Sequence, residues 1–143
     1  MAEGVRIRLG DALIDRGLLT QEQLGVALNE QKRNHRPLGE ILVSLGMVRA
    51  DAIAEIMAKS LNLPFVRARD LEPDPLLVSS VEPEFVRSAG AVPISIKGGT
   101  LHVAMTDPGN PETVATVRQR FPYALELNVI TDGDLQILIR KYL

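Results

Sequence analysis

The sequence predicts an α+β fold: a four-helix subdomain made of a duplicated helical hairpin, then a small α/β subdomain of ββαβα order with short leading helices. Three observations carry this. All five aromatic residues lie at or beyond Phe65, and eight of the nine prolines lie at or beyond Pro64. Before that point a 24-residue pattern occurs twice. Beyond it, two alternating β-branched runs flank Gly98-Gly99, a strong hairpin signal.

The duplication aligns residues 8–31, RLGDALIDRGLLTQEQLGVALNEQ, with residues 37–60, PLGEILVSLGMVRADAIAEIMAKS, across the spacer KRNHR. Leu9, Gly10, Leu13 and Gly17 recur as Leu38, Gly39, Leu42 and Gly46. Two copies are too few for a solenoid, so a pseudo-twofold pair of hairpins is expected. In the first unit Leu9, Leu13 and Ile14 share a helical face, and Gly17 ends that helix. Thr20 and Gln23 form a capping-box pattern opening a longer helix with Leu24, Leu28 and Gln31. In the second unit Pro37 suits a first helical position, Gly46 repeats the stop, and a helix from about Ala50 to Leu61 presents Ile53, Met57 and Leu61.

The domain boundary is expected between residues 62 and 63. Beyond it, Pro75 and Pro83 open two short helices, AVPISIK and TLHVAMT form the hairpin strands, and Asn110-Pro111 starts a helix reaching about Arg120. LELNVIT supplies a third strand. Thr131-Asp132 caps a last helix ending near Tyr142. This order predicts a layered unit with helices covering one face of the sheet.

Composition excludes several chemistries. The chain has no cysteine and two distant histidines, His35 and His102, which removes thiolate catalysis and the usual zinc sites. Sixteen basic and eighteen acidic residues give a net charge of −2, too balanced for a nucleic-acid wrapper. No phosphate-binding G-x(4)-G-K-[ST] loop occurs, and nothing is placed to activate a serine, so the chain is not expected to be an enzyme or to need a cofactor. No apolar run is long enough to span a bilayer and MAEGVRIRLG lacks a signal-peptide core, so a cytoplasmic protein without direct membrane insertion is expected.

The repeated leucines read first as core. The glycines ask for more. Gly17 and Gly46 are helix stops, but Gly10 and Gly39 come early in their units, where a helical glycine costs roughly 1 kcal/mol relative to alanine. Glycine there lets another backbone or a ligand approach, and the neighbouring helix start offers N–H groups to an anion. Two such places related by a pseudo-twofold suit a ligand with two anionic groups and twofold symmetry.

The pattern RLGxxLxxxG followed by L-x(3)-L-x(2)-Q, repeated with PLG in the second copy, resembles the MshEN-type cyclic di-GMP-binding domain. That domain is the N-terminal domain of type II secretion and type IV pilus assembly ATPases. LNLPFV and LHVAMTDPGNPE resemble later segments of the same family. The resemblance implies that both units bind one cyclic di-GMP. Residue by residue it carries Arg8, Leu9, Gly10, Leu24, Leu28 and Gln31 from the first unit, and Pro37, Leu38, Gly39, Ile53 and Met57 from the second. Arg6 resembles a basic position near the ligand, and Asp107 an aspartate that closes over a guanine. Ser60 departs from the pattern, standing where the first unit has Gln31, and its shorter side chain removes reach from that half-site. Arg67 and Arg69 read as solvated charges. The implied partners are cyclic di-GMP and an assembly ATPase domain. In a competing reading, the partner is a cytoplasmic part of an inner-membrane platform protein, docked without nucleotide.

The residue chemistry is consistent with such a ligand. Without an aromatic before Phe65, guanine stacking in the first subdomain falls to an arginine plane such as Arg8, with aliphatic side chains covering ribose and base faces. A carboxylate such as Asp107 accepts from guanine N1–H and N2–H₂, and an amide such as Gln31 pairs with either edge. Phosphates fall to N–H groups beside Gly10 and Gly39, aided by Arg6 or Arg8.

Overall fold

The computed structural model describes residues 9–143. Four helices come first: α1 (Leu9–Asp15), α2 (Gln21–Asn34), α3 (Leu38–Ser44) and α4 (Ala50–Leu61). Gly17 and Gly46 both adopt the left-handed conformation, with φ of 72° and 73°, where a side chain would strain the backbone. Thr20 accepts from the Gln23 N–H while the Gln23 side chain accepts from the Thr20 N–H, completing the predicted capping box of α2. The equivalent Arg49 gives α4 no side-chain cap. Pro37 lies one position earlier than expected: it is the residue before α3 rather than its first helical residue, and its extended backbone leads the chain into the helix.

The duplication recurs in the packing. α1 packs on α4 and α2 on α3, contacts that exchange when the two units are exchanged. Leu13 and Leu42, equivalent in the two units, are both fully buried, as are Ala27 and its counterpart Ile56 to within 2%. They belong to one apolar cluster with Leu19, Ile41, Val48 and Ile53.

The remainder of the chain holds a 3₁₀ turn (Ala68–Asp70), α5 (Pro75–Ser79), α6 (Pro83–Ala89), β1 (Ala91–Lys97), β2 (Thr100–Met105), α7 (Pro111–Arg120), β3 (Ala124–Val129) and α8 (Asp132–Tyr142). The fold is α+β. The sheet order is β1-β2-β3, with β1 antiparallel and β3 parallel to β2. Positive φ at both Gly98 and Gly99 makes the tight β1–β2 turn. Asn110 and Thr131 cap α7 and α8 through their side chains. Ala104 and Met105 are successive residues of the central strand and both are fully buried. Successive strand residues point to opposite faces, so at this end both faces are covered, and the one-sided layer expected from sequence applies only toward the hairpin. There, His102 faces Glu126 at 3.3 Å in a partly open position.

Val78, Val81, Val86, Leu101, Val103, Leu135 and Leu138 share the core of this second unit. A third, smaller cluster joins the two parts of the chain: Ala54 and Ala58 of α4 meet Val129 of β3, with Met57, Leu63 and Phe65 around them. The Val66 N–H donates to the Val129 carbonyl, and the Val129 N–H to the Pro64 carbonyl. The segment after α4 thereby lies along the open edge of β3.

Candidate functional site

The two glycines that pointed to a ligand are contact points first. Gly10 is buried in α1, and a Cβ added there would lie 2.7 Å from Leu24 Cδ1. A Cβ on Gly39 would lie 3.5 Å from Leu9 Cδ2 and 3.6 Å from Ile53 Cγ2. Leu24 and Ile53 are equivalent, so each unit seats the early glycine of its short helix against the same position of its long helix. The structure thus brings Leu9, Gly10, Leu24, Leu38, Gly39 and Ile53 together around one apolar cluster. Leu9, Leu24 and Leu38 remain partly exposed there, leaving aliphatic surface beside both helix starts.

The other candidates are spread around this centre. Leu28 is 40% exposed on α2. Met57 lies in the seam with β3. Gln31 donates its side-chain N–H to the Arg36 carbonyl at 3.1 Å, which fixes the spacer turn just before the exposed Pro37. Arg6 and Arg8 lie outside the described residues. Asp107 follows β2 and is followed by a turn in which Gly109 approaches α4: a Cβ on Gly109 would lie 3.5 Å from Leu61 Cδ1. Partial desolvation by neighbouring atoms raises the Asp107 pKa from its ordinary value, although its side chain reaches solvent, and a bond from the Gly109 N–H opposes the rise. Among the described residues, no group of three or more His, Cys, Asp or Glu could hold a metal ion, and no helix is long and apolar enough to cross a membrane.

Arg67 corrects the sequence expectation of a solvated charge. Its Nε donates to Asp134 Oδ2 at 3.0 Å and its Nη1 reaches Asp51 Oδ2 at 3.5 Å, with the guanidinium 5.5 Å from the Phe65 ring centroid. The Asp134 hydrogen bond is the main reason its pKa is raised. Asp51 opens α4 and Asp134 opens α8, so one arginine ties the helical unit to the last helix. Sequence spacing gave no signal for this pairing, because Arg67 and Asp134 are 67 residues apart.

The family model described as the MshEN domain matches residues 61–143. The chain belongs to the MshEN domain family. The match lies over the second part of the chain, whereas the resemblance read from sequence rested mainly on the duplicated first part. Relatives of greater coverage extend the likeness. The type IV pilus assembly ATPase PilB of Myxococcus xanthus is 27% identical over 135 residues, 94% of this chain and 24% of the relative. PilB of Thermus thermophilus is 31% identical over 115 residues, 80% of this chain and 13% of the relative. This MshEN chain therefore spans a quarter or less of the PilB relatives it matches. Among solved structures, that of MshE with cdg (cyclic di-GMP) is 30% identical with a TM-score of 0.82, covering 96% of this chain and all of that one. The N-terminal domain of XpsE is 27% identical with a TM-score of 0.83, covering 99% of this chain and 95% of that one. The likeness is thus to an N-terminal domain.

Proposed function

We propose that this MshEN domain is a cyclic di-GMP receptor that regulates a secretion or pilus assembly ATPase, or acts as a stand-alone cytoplasmic sensor. The observation carrying the reading is the twice-made contact of glycine on long helix, Gly10 with Leu24 and Gly39 with Ile53. A binding face built twice in this way suits a ligand with two like halves, and the likeness to MshE with cdg supports the choice of ligand.

In this reading Leu9, Leu24, Leu28, Leu38 and Ile53 cover the ribose and base faces, and Met57 does so beside the seam. The N–H groups beside Gly10 and Gly39 hold the phosphates, assisted by Arg6 and Arg8, and a guanidinium of this pair stacks on a guanine. Pro37 sets the second turn, which the Gln31 amide braces from the first unit. Asp107 accepts from a guanine edge, and the approach of a two-donor edge favours its charged form.

Titration calorimetry with cyclic di-GMP, alongside GTP and cyclic AMP, tests the reading. Saturable heat with cyclic di-GMP alone is expected, and Arg8→Ala is expected to weaken it far more than Arg69→Ala. No heat at about 100 micromolar protein, a concentration well above the dissociation constant of a useful sensor, overturns it, and a pull-down of the platform protein's cytoplasmic part together with that result would favour docking without nucleotide.

A further inference from the structure

A separate cavity of about 300 Å³ lies between the 3₁₀ turn and α8, lined by Arg67, Ala68, Arg69, Asp134, Ile137, Leu138, Lys141 and Tyr142. We infer that this groove along α8 docks a peptide segment carrying carboxylates around an apolar anchor. Positions 134, 137, 138 and 141 recur at helical spacing and form one face of α8. The face spans about 10 Å at 1.5 Å per residue, and one wall of the cavity is the 3₁₀ turn. Its centre is apolar: Ile137 is 44% exposed, beside buried Leu138 and the ring of Tyr142.

The charges around that strip are unequally satisfied. The Asp134 carboxylate accepts from Arg67 Nε and from the Ala68 N–H, both at 3.0 Å, so its charge is compensated within the fold. Arg67 is held by Asp134 and Asp51. Arg69 and Lys141 have no carboxylate partner among the described residues, although Lys141 lies 5.5 Å from the Tyr142 ring centroid. Two cations flanking an apolar strip match an acidic peptide with one buried side chain. A bare phosphate would leave the apolar centre unused. A cavity of this volume is at the small end of ligand sites, which suits one or two side chains of a larger partner. The groove is linked to α4 only through Arg67, which reaches Asp51 at the start of that helix, whereas the turn carrying Asp107 approaches its Leu61 end, so this inference is independent of nucleotide binding.

Selection of displayed random dodecapeptides on the full chain, with subtraction on the Arg69→Glu/Lys141→Glu variant, tests the inference. Enrichment of sequences with several Asp or Glu around a Leu, Ile or Phe is expected. The strongest one, made synthetically, should bind the wild type at least tenfold more tightly than the variant by fluorescence anisotropy. Changing its acids to amides, or raising the salt from 50 to 500 mM, should weaken it to a similar degree, and these two readouts decide the matter if the variant does not fold. No enrichment, enrichment of neutral or basic sequences, or binding insensitive to both charge changes overturns the inference.

Discussion

Leu28 and Met57 occupy the same position of the duplicated unit, yet Leu28 is 40% exposed and Met57 packs in the cluster around Ala54, Ala58 and Val129. The same is true of their neighbours. Ala54 is buried against β3, whereas no described residue lies within 4 Å of a Cβ built on its counterpart Gly25. Asp51 reaches Arg67, while its counterpart Glu22 is exposed in the first turn of α2. Among the described residues, one hairpin has an uncovered outer face and the other has become the seat of the second unit. A duplication can therefore preserve its inner contacts while its outer faces diverge, because the shared core constrains only the positions that meet inside it.

The comparison predicts equality inside. Leu13→Ala and Leu42→Ala should each lower stability by about 3 kcal/mol, the usual cost of a cavity at a fully buried leucine, with denaturant midpoints that nearly coincide. A difference of more than about 1 kcal/mol would show that the inner contacts have diverged as well.

The early glycines should separate. Gly10→Ala drives a methyl to 2.7 Å from Leu24 Cδ1, and overpacking of this kind costs about 1–3 kcal/mol before any helix-propensity gain. Leu24 is only half-buried and can turn aside in part, so a net loss of about 1 kcal/mol is expected. Gly39→Ala meets ordinary contacts at 3.5 and 3.6 Å and should be neutral or raise stability by up to about 1 kcal/mol. Thermal unfolding of the two variants side by side checks the sign. If Gly39→Ala is the more damaging, the tight approach has been assigned to the wrong unit.

The helix starts differ next. Thr20→Ala removes a capping box and should cost about 1 kcal/mol. Arg49→Ala removes no cap and should stay within about 0.5 kcal/mol of the parent. Equal losses in urea unfolding would mean that the Arg49 side chain supports α4 in some other way.

The helices of both hairpins were legible because their signals are local: leucines on one face, glycine at the stop, and a hydroxyl and amide three residues apart at Thr20 and Gln23. The aliphatic part of the candidate site was legible for the same reason, since Leu9, Leu24, Leu38 and Ile53 follow from register. Register says nothing about what lies against an outer face. Met57 and Leu28 looked alike in sequence because the difference between them is β3, some 70 residues further along the chain. Arg67 was misread for a related reason. Its two carboxylates belong to the starts of α4 and α8, which come together only once both units have formed.

The asymmetry reaches the other end of the long helices, where Leu61 of α4 meets the turn carrying Asp107 while α2 ends in the spacer at His35. This gives the smallest predicted effect. The folded Asp107 pKa is raised, so the folded state is penalised at pH values above the folded pKa, where the side chain is charged. As pH falls through that value the penalty is relieved, and below the unfolded pKa of about 3.9 it is gone. Asp107→Asn should therefore raise the unfolding midpoint slightly near pH 7, with the gain shrinking to nothing by about pH 3. Cyclic di-GMP binding should move the opposite way, because an amide offers one acceptor where a guanine edge presents two donors. A variant that is both more stable near neutrality and poorer at binding would mark Asp107 as a group kept for the ligand at a cost to the fold. If stability falls at pH 7 instead, desolvation is not what sets its pKa, and the Gly109 bond outweighs it.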